Sequence, residues 1–159
     1  MTQPSIPRQA LALIGWLAIC FAASTTSTLI SIDGWHESLH KPSWNPPSWI
    51  FAPAWTLLYV LMAVSAWLVW RDGSWRMQSK ALSLFMMQWT LNLLWTPLFF
   101  GMHRPDWALL DILALWLMIL ATLLAFWRVR RLAGALLLPY LAWVTFATAL
   151  NFMIWCLNP

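Results

Sequence analysis

Residues 41–59, KPSWNPPSWIFAPAWTLLY, join a proline-rich connection to an apolar, uncharged segment. The stretch holds three Trp and four Pro in nineteen residues, and its only charge is Lys41. Proline lacks a backbone N–H and fixes φ, so the first half of the stretch cannot be a continuous helix. From about Trp49 to Trp70 the chain is apolar and uncharged. We therefore predict a stiff, aromatic connection that leads into a membrane helix, and its indoles are the first indication of a binding site.

The composition is that of a membrane protein. Of the 159 residues, 62% are hydrophobic and 9% are charged, whereas soluble domains carry about 25% charged residues. The net charge of +4 comes from basic residues scattered between apolar blocks, which argues against a nucleic-acid partner. Cys20 and Cys156 lie far apart in apolar segments and predict neither a metal site nor a disulfide framework. We expect no cofactor.

Five apolar segments reach the roughly 20 residues that a membrane-spanning helix needs. They cover about residues 8–30, 47–70, 81–102, 105–127 and 132–157. The predicted fold is one all-α domain over residues 1–159, a bundle of five transmembrane helices with a long structured first loop. Residues 24–27 are Ser and Thr, which can hydrogen-bond to their own helix backbone, so the first helix is expected to continue through them. Residues 31–46 form either a structured cap or an idle loop, and their proline and aromatic content favours the cap.

The distribution of Lys and Arg predicts the orientation in the membrane. Seven of these residues lie at the N-terminus and in the second and fourth connections, and two lie on the opposite side. The first group is Arg8, Arg71, Arg76, Lys80, Arg128, Arg130 and Arg131, and the second is Lys41 and Arg104. Because Lys and Arg accumulate on the cytoplasmic side, we expect a multi-pass protein of a bacterial membrane with a cytoplasmic N-terminus.

Helical spacing gathers aromatic residues beside small or polar ones on the predicted inward faces. These faces are Ala52, Trp55 and Tyr59; Gln88, Asn92 and Trp95; Trp107, Asp111 and Ala114; and Trp143, Ala147 and Leu150, with Asn151 beside them. The combination suits a pocket for a flat apolar ligand with a few polar handles. It suits ordinary membrane packing equally well, since small residues admit close helices and polar ones join them.

Isolated ionisable residues give weaker indications. Asp111 lies within an apolar run, where an acid is a functional candidate. It also lies one turn past Trp107, where the helix dipole and interface water would stabilise it, and we favour this structural interpretation. His36 and His40 are spaced for one helix face and could bind a metal or a haem iron, but no carboxylate or Cys completes a site. A solvated pair in a loop is the simpler interpretation, and no metal site is predicted.

Several motifs, in the right order across the five segments, resemble the tryptophan-rich sensory protein family. They are KPSWNPP, PAWTLLY, NLLWTPLFFG, WALLD and PYLAWVTFATALN. The family comprises TspO in bacteria and the translocator protein, or peripheral benzodiazepine receptor, in mitochondria. The resemblance covers roughly residues 15–155. It implies a five-helix membrane bundle, usually a homodimer, that binds protoporphyrin IX, haem and drug-like hydrophobic molecules between its helices beneath the first loop.

The motifs and the inward faces together give the candidate ligand-binding residues. These are Ala23, Thr26, Trp44, Phe51, Ala52, Trp55, Tyr59, Asn92, Trp95, Trp107, Ala114, Trp143, Ala147 and Leu150. The resemblance implies a membrane receptor or transporter-like protein for tetrapyrroles, which senses or regulates them. The alternative is a light-dependent enzyme that degrades protoporphyrin IX, with Trp55 and Trp143 as the catalytic residues. The cholesterol motif of animal members is incomplete, because Phe152 replaces its Tyr and no Lys or Arg follows.

Overall fold

The structure, a computed structural model, describes residues 5–26, 30 and 34–158. Its described part consists of helices joined by turns and short loops and contains no strand. The helices are α1 (Ile6–Ala22), α2 (Gly34–Ser38), α3 (Phe51–Met77), α4 (Ser79–Thr96), α5 (Pro105–Val129), α6 (Arg131–Ala135) and α7 (Leu138–Leu157). A 3-10 turn, Ser48–Ile50, precedes α3, and a π-helical turn, Pro97–Gly101, continues α4. The parts of the predicted first helix and first loop at residues 27–29 and 31–33 fall outside the described residues.

Three described helical stretches are long and apolar enough to cross a membrane. They are Ser48–Gly73, Pro105–Val129 and Arg131–Leu157, and α1 is a shorter apolar helix. Large apolar side chains on these stretches face outward instead of inward, as lipid contact requires. Examples are Leu57, Leu110, Leu113, Leu117 and Leu124. The protein is therefore an all-helical membrane protein, and the count of five spans stays a prediction.

The polar end of the first segment does not continue the helix as expected. Helix α1 ends at Ala22, and Ala23 and Ser24 form a turn before Thr25 and Thr26 become helical again. The hydroxyls of Ser24 and Thr25 donate to carbonyls three residues back, at 2.6 Å each. Side chains that bond to the backbone compete with the regular ladder, and here they accompany an interruption.

Proline positions explain two further departures from straight helices. At Pro97 the predicted third helix changes to the π-helical turn, because proline cannot donate the regular backbone bond. The predicted fifth helix is divided into α6 and α7 by a turn at residues 136–137. Pro139 follows directly, and its ring conflicts with the carbonyl four residues earlier. Pro53, by contrast, lies in the first turn of α3, where its missing donor costs nothing.

Close packing joins the elements in a continuous bundle. Helix α1 packs against α3, α3 against α4, α4 against α5, and α5 against both α6 and α7. We call the end that carries α2 and the start of α3 the loop end. The opposite end, where α3 turns into α4 and α5 meets α6, is the turn end. At the turn end Gly134 is required, because a Cβ there would lie 2.8–2.9 Å from atoms of Trp127, including its Cα.

Candidate functional site

A buried layer of polar side chains crosses the bundle below its loop end. The Tyr59 hydroxyl donates to the Asn92 side-chain oxygen at 3.4 Å, and the Asn92 amide donates to the Tyr140 hydroxyl at 3.1 Å. All three residues are buried. The layer links α3, α4 and α7, because each helix turns one polar group inward at the same height. It provides hydrogen-bonding capacity in an otherwise apolar interior.

Aromatic rings adjoin this layer and share its two tyrosines, and we call Phe51, Trp55, Tyr59, Tyr140 and Trp143 the aromatic cluster. The Trp55 ring is 5.4 Å from Tyr59 and 6.3 Å from Tyr140, measured between centroids. Phe51 meets Trp143 edge-on at 5.8 Å. These are the spacings at which aromatic pairs attract beyond simple burial. Trp55 and Trp143 are only partly buried, so each retains surface that a flat molecule could contact.

The first loop reaches this cluster through Trp44. Its ring lies edge-on to Phe146 at 5.7 Å, and Phe146 in turn lies 5.8 Å from Trp143. Trp44 remains 44% exposed. The loop therefore adds an aromatic ring to one side of the cluster.

The described part of the first loop, residues 34–46, contacts the rest of the bundle, and we call this part the cap. The Asn158 side chain accepts from the His40 N–H at 2.9 Å and donates to the His40 carbonyl at 3.0 Å. On the other side, Trp35 stacks on His103 at 4.3 Å. His103 has a φ of 53°, an unusual backbone conformation for a residue other than glycine.

His36 also packs onto the π-helical turn. Its ring lies edge-on to Phe100 at 5.2 Å. Burial lowers the pKa of His36 below its ordinary value of 6.5, the positive charge of Lys41 lowers it further, and Glu37 opposes both effects. The cap is therefore attached to the bundle at two places, at α7 and at the segment after α4. The lowered pKa favours the neutral form of the His36 imidazole.

Trp95 belongs to a neighbouring cluster at the same end. Its indole N–H donates to the Asn151 side-chain oxygen at 3.1 Å, and its ring stacks on Phe99 at 5.0 Å. The Asn151 amide donates to the Pro105 carbonyl at 2.9 Å, which ties α7 to the start of α5. Leu150 is buried in the cluster that contains Phe99. Trp95 and Leu150 thus lie beside the aromatic cluster and not within it.

The smaller candidates lie around these two clusters. Ala23 is buried after the end of α1, and Thr26 bonds back to the Ala23 carbonyl at 2.9 Å. Phe21, two residues before Ala23, places its ring 5.6 Å from Tyr59. Ala147 is partly buried on α7, one turn after Trp143.

Three candidate ligand-binding residues are exposed on the surface of the bundle. Trp107 is 54% exposed, with the Arg104 guanidinium 5.8 Å from its ring, and Ala114 is exposed as well. The buried face of α5 is centred on Ala108, Ile112 and Leu115, and positions 107 and 114 are flanks of that face. Ala52 is exposed because it lies in the first turn of α3, at the open end of the bundle.

Asp111 is buried on the inner face of α5. Its Oδ2 has no hydrogen-bond partner within the described residues. Gln88 is 1% exposed, and neither polar atom of its amide has a partner there. An unpaired buried polar group costs about 1–3 kcal/mol, and both side chains lie on the faces predicted to be inward.

Sequence reasoning omitted Tyr140 and Phe146 from the site. Tyr140 precedes Trp143 by three positions and Ala147 by seven, so the helical repeat places it on the same face. Its position next to Pro139, at the start of α7, makes this helical repeat hard to recognise in the sequence. Phe146 carries no polar or small-residue signature, and its role emerges only from the contact with Trp44 in the loop. In the part of the chain that the structure describes, no group of three or more His, Cys, Asp or Glu could hold a metal ion.

Comparison with known proteins gives a consistent assignment. The sequence profile of the TspO/MBR family matches residues 11–156. A tryptophan-rich sensory protein of Cereibacter sphaeroides is 45% identical over 144 residues, which cover 90% of this chain and 89% of that protein. The tryptophan-rich protein TspO of Chlorobaculum tepidum is 43% identical over 157 residues, or 96% and 99% of the two chains. Human translocator protein is 38% identical over 159 residues, or 98% and 92%. The chain therefore belongs to the TspO/MBR family, as its tryptophan motifs indicate.

Proposed function

We propose that the protein is a membrane receptor that binds porphyrins and other flat hydrophobic molecules at the aromatic cluster, under the cap. The observation that carries this proposal is the meeting of rings from α3, α7 and the first loop. Phe51, Trp143, Phe146 and Trp44 follow one another at 5.7–5.8 Å between centroids. Partly buried indoles give a flat π-system stacking partners, worth about 0.5–1.5 kcal/mol each beyond burial. Two relatives are named for sensing and for translocation, which agrees with a binding role.

The polar layer gives the proposed site its selectivity. A porphyrin carries polar carboxylates at one edge of an apolar disc, and a site for it needs a few hydrogen-bonding groups below a large apolar surface. The hydroxyls of Tyr59 and Tyr140 and the amide of Asn92 supply such groups. Ala147, one turn from Trp143, leaves room that a larger side chain would fill.

Titration with protoporphyrin IX in the dark tests the receptor function. The protein in lipid nanodiscs should show saturable quenching of Trp fluorescence, and empty nanodiscs should account for the non-specific partition of the porphyrin. Saturation that survives subtraction of the empty discs supports the proposal. Quenching that rises linearly and equals the partition into empty discs would reject it.

The contacts of Trp55 favour a second candidate function, light-dependent degradation of the porphyrin. Trp55 touches two tyrosine rings, Tyr59 and Tyr140, so three oxidisable side chains adjoin the proposed ligand. An excited porphyrin can exchange an electron with an indole or transfer its energy to dioxygen. Illumination of the complex in air should then convert the porphyrin spectrum to that of a product, and the dark sample should not change. A spectrum that bleaches equally with and without protein would leave only the receptor function.

We also propose the topology that the charge distribution predicts. Five spans would comprise α1, α3, α4 with its π-helical turn, α5, and α6 with α7, with the N-terminus in the cytoplasm and the first loop outside. Reporter fusions at both termini should then lie on opposite sides of the membrane, and two termini on one side would contradict five spans. The homodimer rests on the family resemblance alone, and the mass of the detergent-solubilised protein tests it.

A further inference from the structure

An open cavity of about 450 Å³ lies at the turn end of the bundle, far from the aromatic cluster. It is formed where α3 turns into α4 and where the last turn of α5 passes beside them. Its lining combines two cations with an apolar wall. The lining residues are Met77, Gln78, Ser79, Lys80, Ala81, Leu84, Ala125 and Arg128.

The two cations of this cavity differ from two of their basic neighbours, Arg71 and Arg130. Arg130 pairs with Asp72 at 3.1 Å, and the Arg71 guanidinium lies 4.7 Å above the ring of Trp67. Lys80 and Arg128 are exposed, and neither forms an ion pair with any described acid. Two positive charges therefore line one cavity without a negative charge to balance them.

The deeper part of the cavity lining is apolar. Leu84 and Ala125 lie on α4 and α5, one turn nearer the bundle centre than Lys80 and Arg128, respectively. A ligand that satisfied the whole cavity would carry an anionic group at the level of the helix ends and an apolar part deeper in the membrane. A phospholipid has this arrangement, whereas a free phosphate ion leaves the apolar wall unused.

We propose that this cavity binds an anionic phospholipid, with its phosphate between Lys80 and Arg128 and an acyl chain against Leu84 and Ala125. Basic pockets between membrane helices favour anionic headgroups, and the guanidinium fork of an Arg matches the phosphate oxygens. The bound lipid joins α4 to α5 at the turn end. The inference is independent of the ligand at the aromatic cluster, since no residue is shared.

Lipid retention measured by native mass spectrometry tests the proposal. The protein is purified in detergent and titrated with phosphatidylglycerol or phosphatidylcholine. The double variant Lys80→Gln/Arg128→Gln removes the two cations of the cavity, and Arg76→Gln/Arg131→Gln removes two exposed cations of the same end that do not line it. Both double variants lose the same net charge, so they separate a specific site from general attraction.

The wild type and the control should retain phosphatidylglycerol in preference to phosphatidylcholine. The cavity variant should lose affinity for phosphatidylglycerol by roughly thirtyfold, since each basic residue contributes about fivefold. The exchange Lys80→Arg/Arg128→Lys, which keeps both charges, should retain the lipid and shows that the positions tolerate substitution.

Three results would overturn the proposal. Equal losses in the two double variants would mean that only the overall charge of this end attracts the lipid. Displacement of phosphatidylglycerol by inorganic phosphate at equal concentration would indicate a free-anion site. Equal retention of both lipids by the wild type would show that the cavity does not select for the net negative charge of the headgroup.

Discussion

The two ends of the bundle use the same residue types in opposite ways. At the turn end, aromatic rings pack against one another in stacked pairs. Phe85 stacks on Phe126 at 5.9 Å, and Trp16 stacks on Trp75 at 6.4 Å. There Gly134 allows α6 to pack in close contact with Trp127 of α5. At the loop end, Trp55 and Trp143 meet their neighbours edge-on or tilted and remain partly exposed.

This difference shows that the number of tryptophans is not itself a signal of a binding site. Partly exposed indoles occur at both ends, since Trp75 is 46% and Trp127 is 41% exposed at the turn end. What distinguishes the loop end is the contact of a partly buried indole with tyrosines of the buried polar layer, as between Trp55 and Tyr59. The turn end has buried small residues, Ala81 and Ala133, where the loop end has partly exposed rings. Substitutions at the turn end should therefore change stability, and those at the loop end should change ligand binding.

The largest expected effect is on stability, from Gly134→Ala. The added Cβ would lie 2.9 Å from the Cα of Trp127, so the α5 and α6 backbones must separate, at about 1–3 kcal/mol. Thermal unfolding in detergent should show a clear drop in apparent Tm, while porphyrin affinity of the folded fraction is retained. Gly15→Ala is the matched control, because nothing lies within 4 Å of its added Cβ. Equal drops in both variants would contradict the close contact.

Ala147→Thr should show the converse pattern. A branched polar side chain one turn from Trp143 stiffens χ1 and occupies the room left for the ligand. We expect porphyrin affinity to fall by about tenfold or more, or about 1.4 kcal/mol, with little change in Tm. Ala149→Thr, at an exposed position of the same helix, serves as the control in the same titration. Unchanged affinity of Ala147→Thr would place the ligand elsewhere.

Trp143→Phe should separate binding from photochemistry. The substitution keeps an aromatic ring and most of the burial, so porphyrin affinity should fall by less than about tenfold. Any light-driven loss of porphyrin should fall much further, and Trp55→Phe should behave similarly. Trp127→Phe, at the turn end, should change neither measurement. If Trp143→Phe degrades porphyrin at the wild-type rate, its indole is only a wall of the site.

Asn158→Ala should loosen the cap while leaving the bundle intact. It removes both hydrogen bonds to the backbone of His40, each worth about 0.5–1.5 kcal/mol. Hydrogen exchange at the His40 amide should accelerate by about fivefold or more, since the two bonds together contribute about 1–3 kcal/mol, and exchange within α3 should not change. Asn45→Ala, which removes a bond only to the adjacent Pro46 carbonyl, is the comparison. Protection that persists at His40 would mean that other contacts hold the cap.

The smallest expected effect concerns pH and His36. Because burial lowers its pKa in the closed cap, the closed state binds fewer protons than the open state. The contribution of His36 to closure is therefore full above its ordinary pKa of 6.5 and is lost as the pH falls through the lowered value. Hydrogen exchange in α2 should be slower at pH 7.5 than at pH 5, after correction for intrinsic rates. His36→Phe should reduce this difference, and an undiminished difference would assign it to another group.

Much of this architecture follows from local rules, and the rest depends on contacts between distant residues. The helical repeat predicts that Gln88 and Asn92 share an inward face, and both are buried. It could not identify Tyr140 as the partner of Asn92, 48 residues away. Nor could it distinguish the flank position of Trp107 from the face position of Asp111, because that depends on where α4 and α7 meet α5.

The helix ends were predicted less well for a related reason. A run of apolar residues defines how long a segment is, but hydroxyl groups and prolines determine where its hydrogen-bond ladder stops. Ser24 and Pro139 therefore mark interruptions that hydropathy alone does not reveal.

The double hydrogen bond between Asn158 and His40 sets an order of events during synthesis. The two residues are 118 positions apart, so the first loop leaves the ribosome long before its partner exists. Helices α1 to α7 must be made, and α7 must pack beside α5, before the cap can be fastened at that side. A nascent chain would thus expose its Trp44 and the α3 residues of the aromatic cluster until translation has passed residue 158. Any ligand present in the membrane at that stage could enter before the cap closes, and assembly of the protein and loading of its site would become one process.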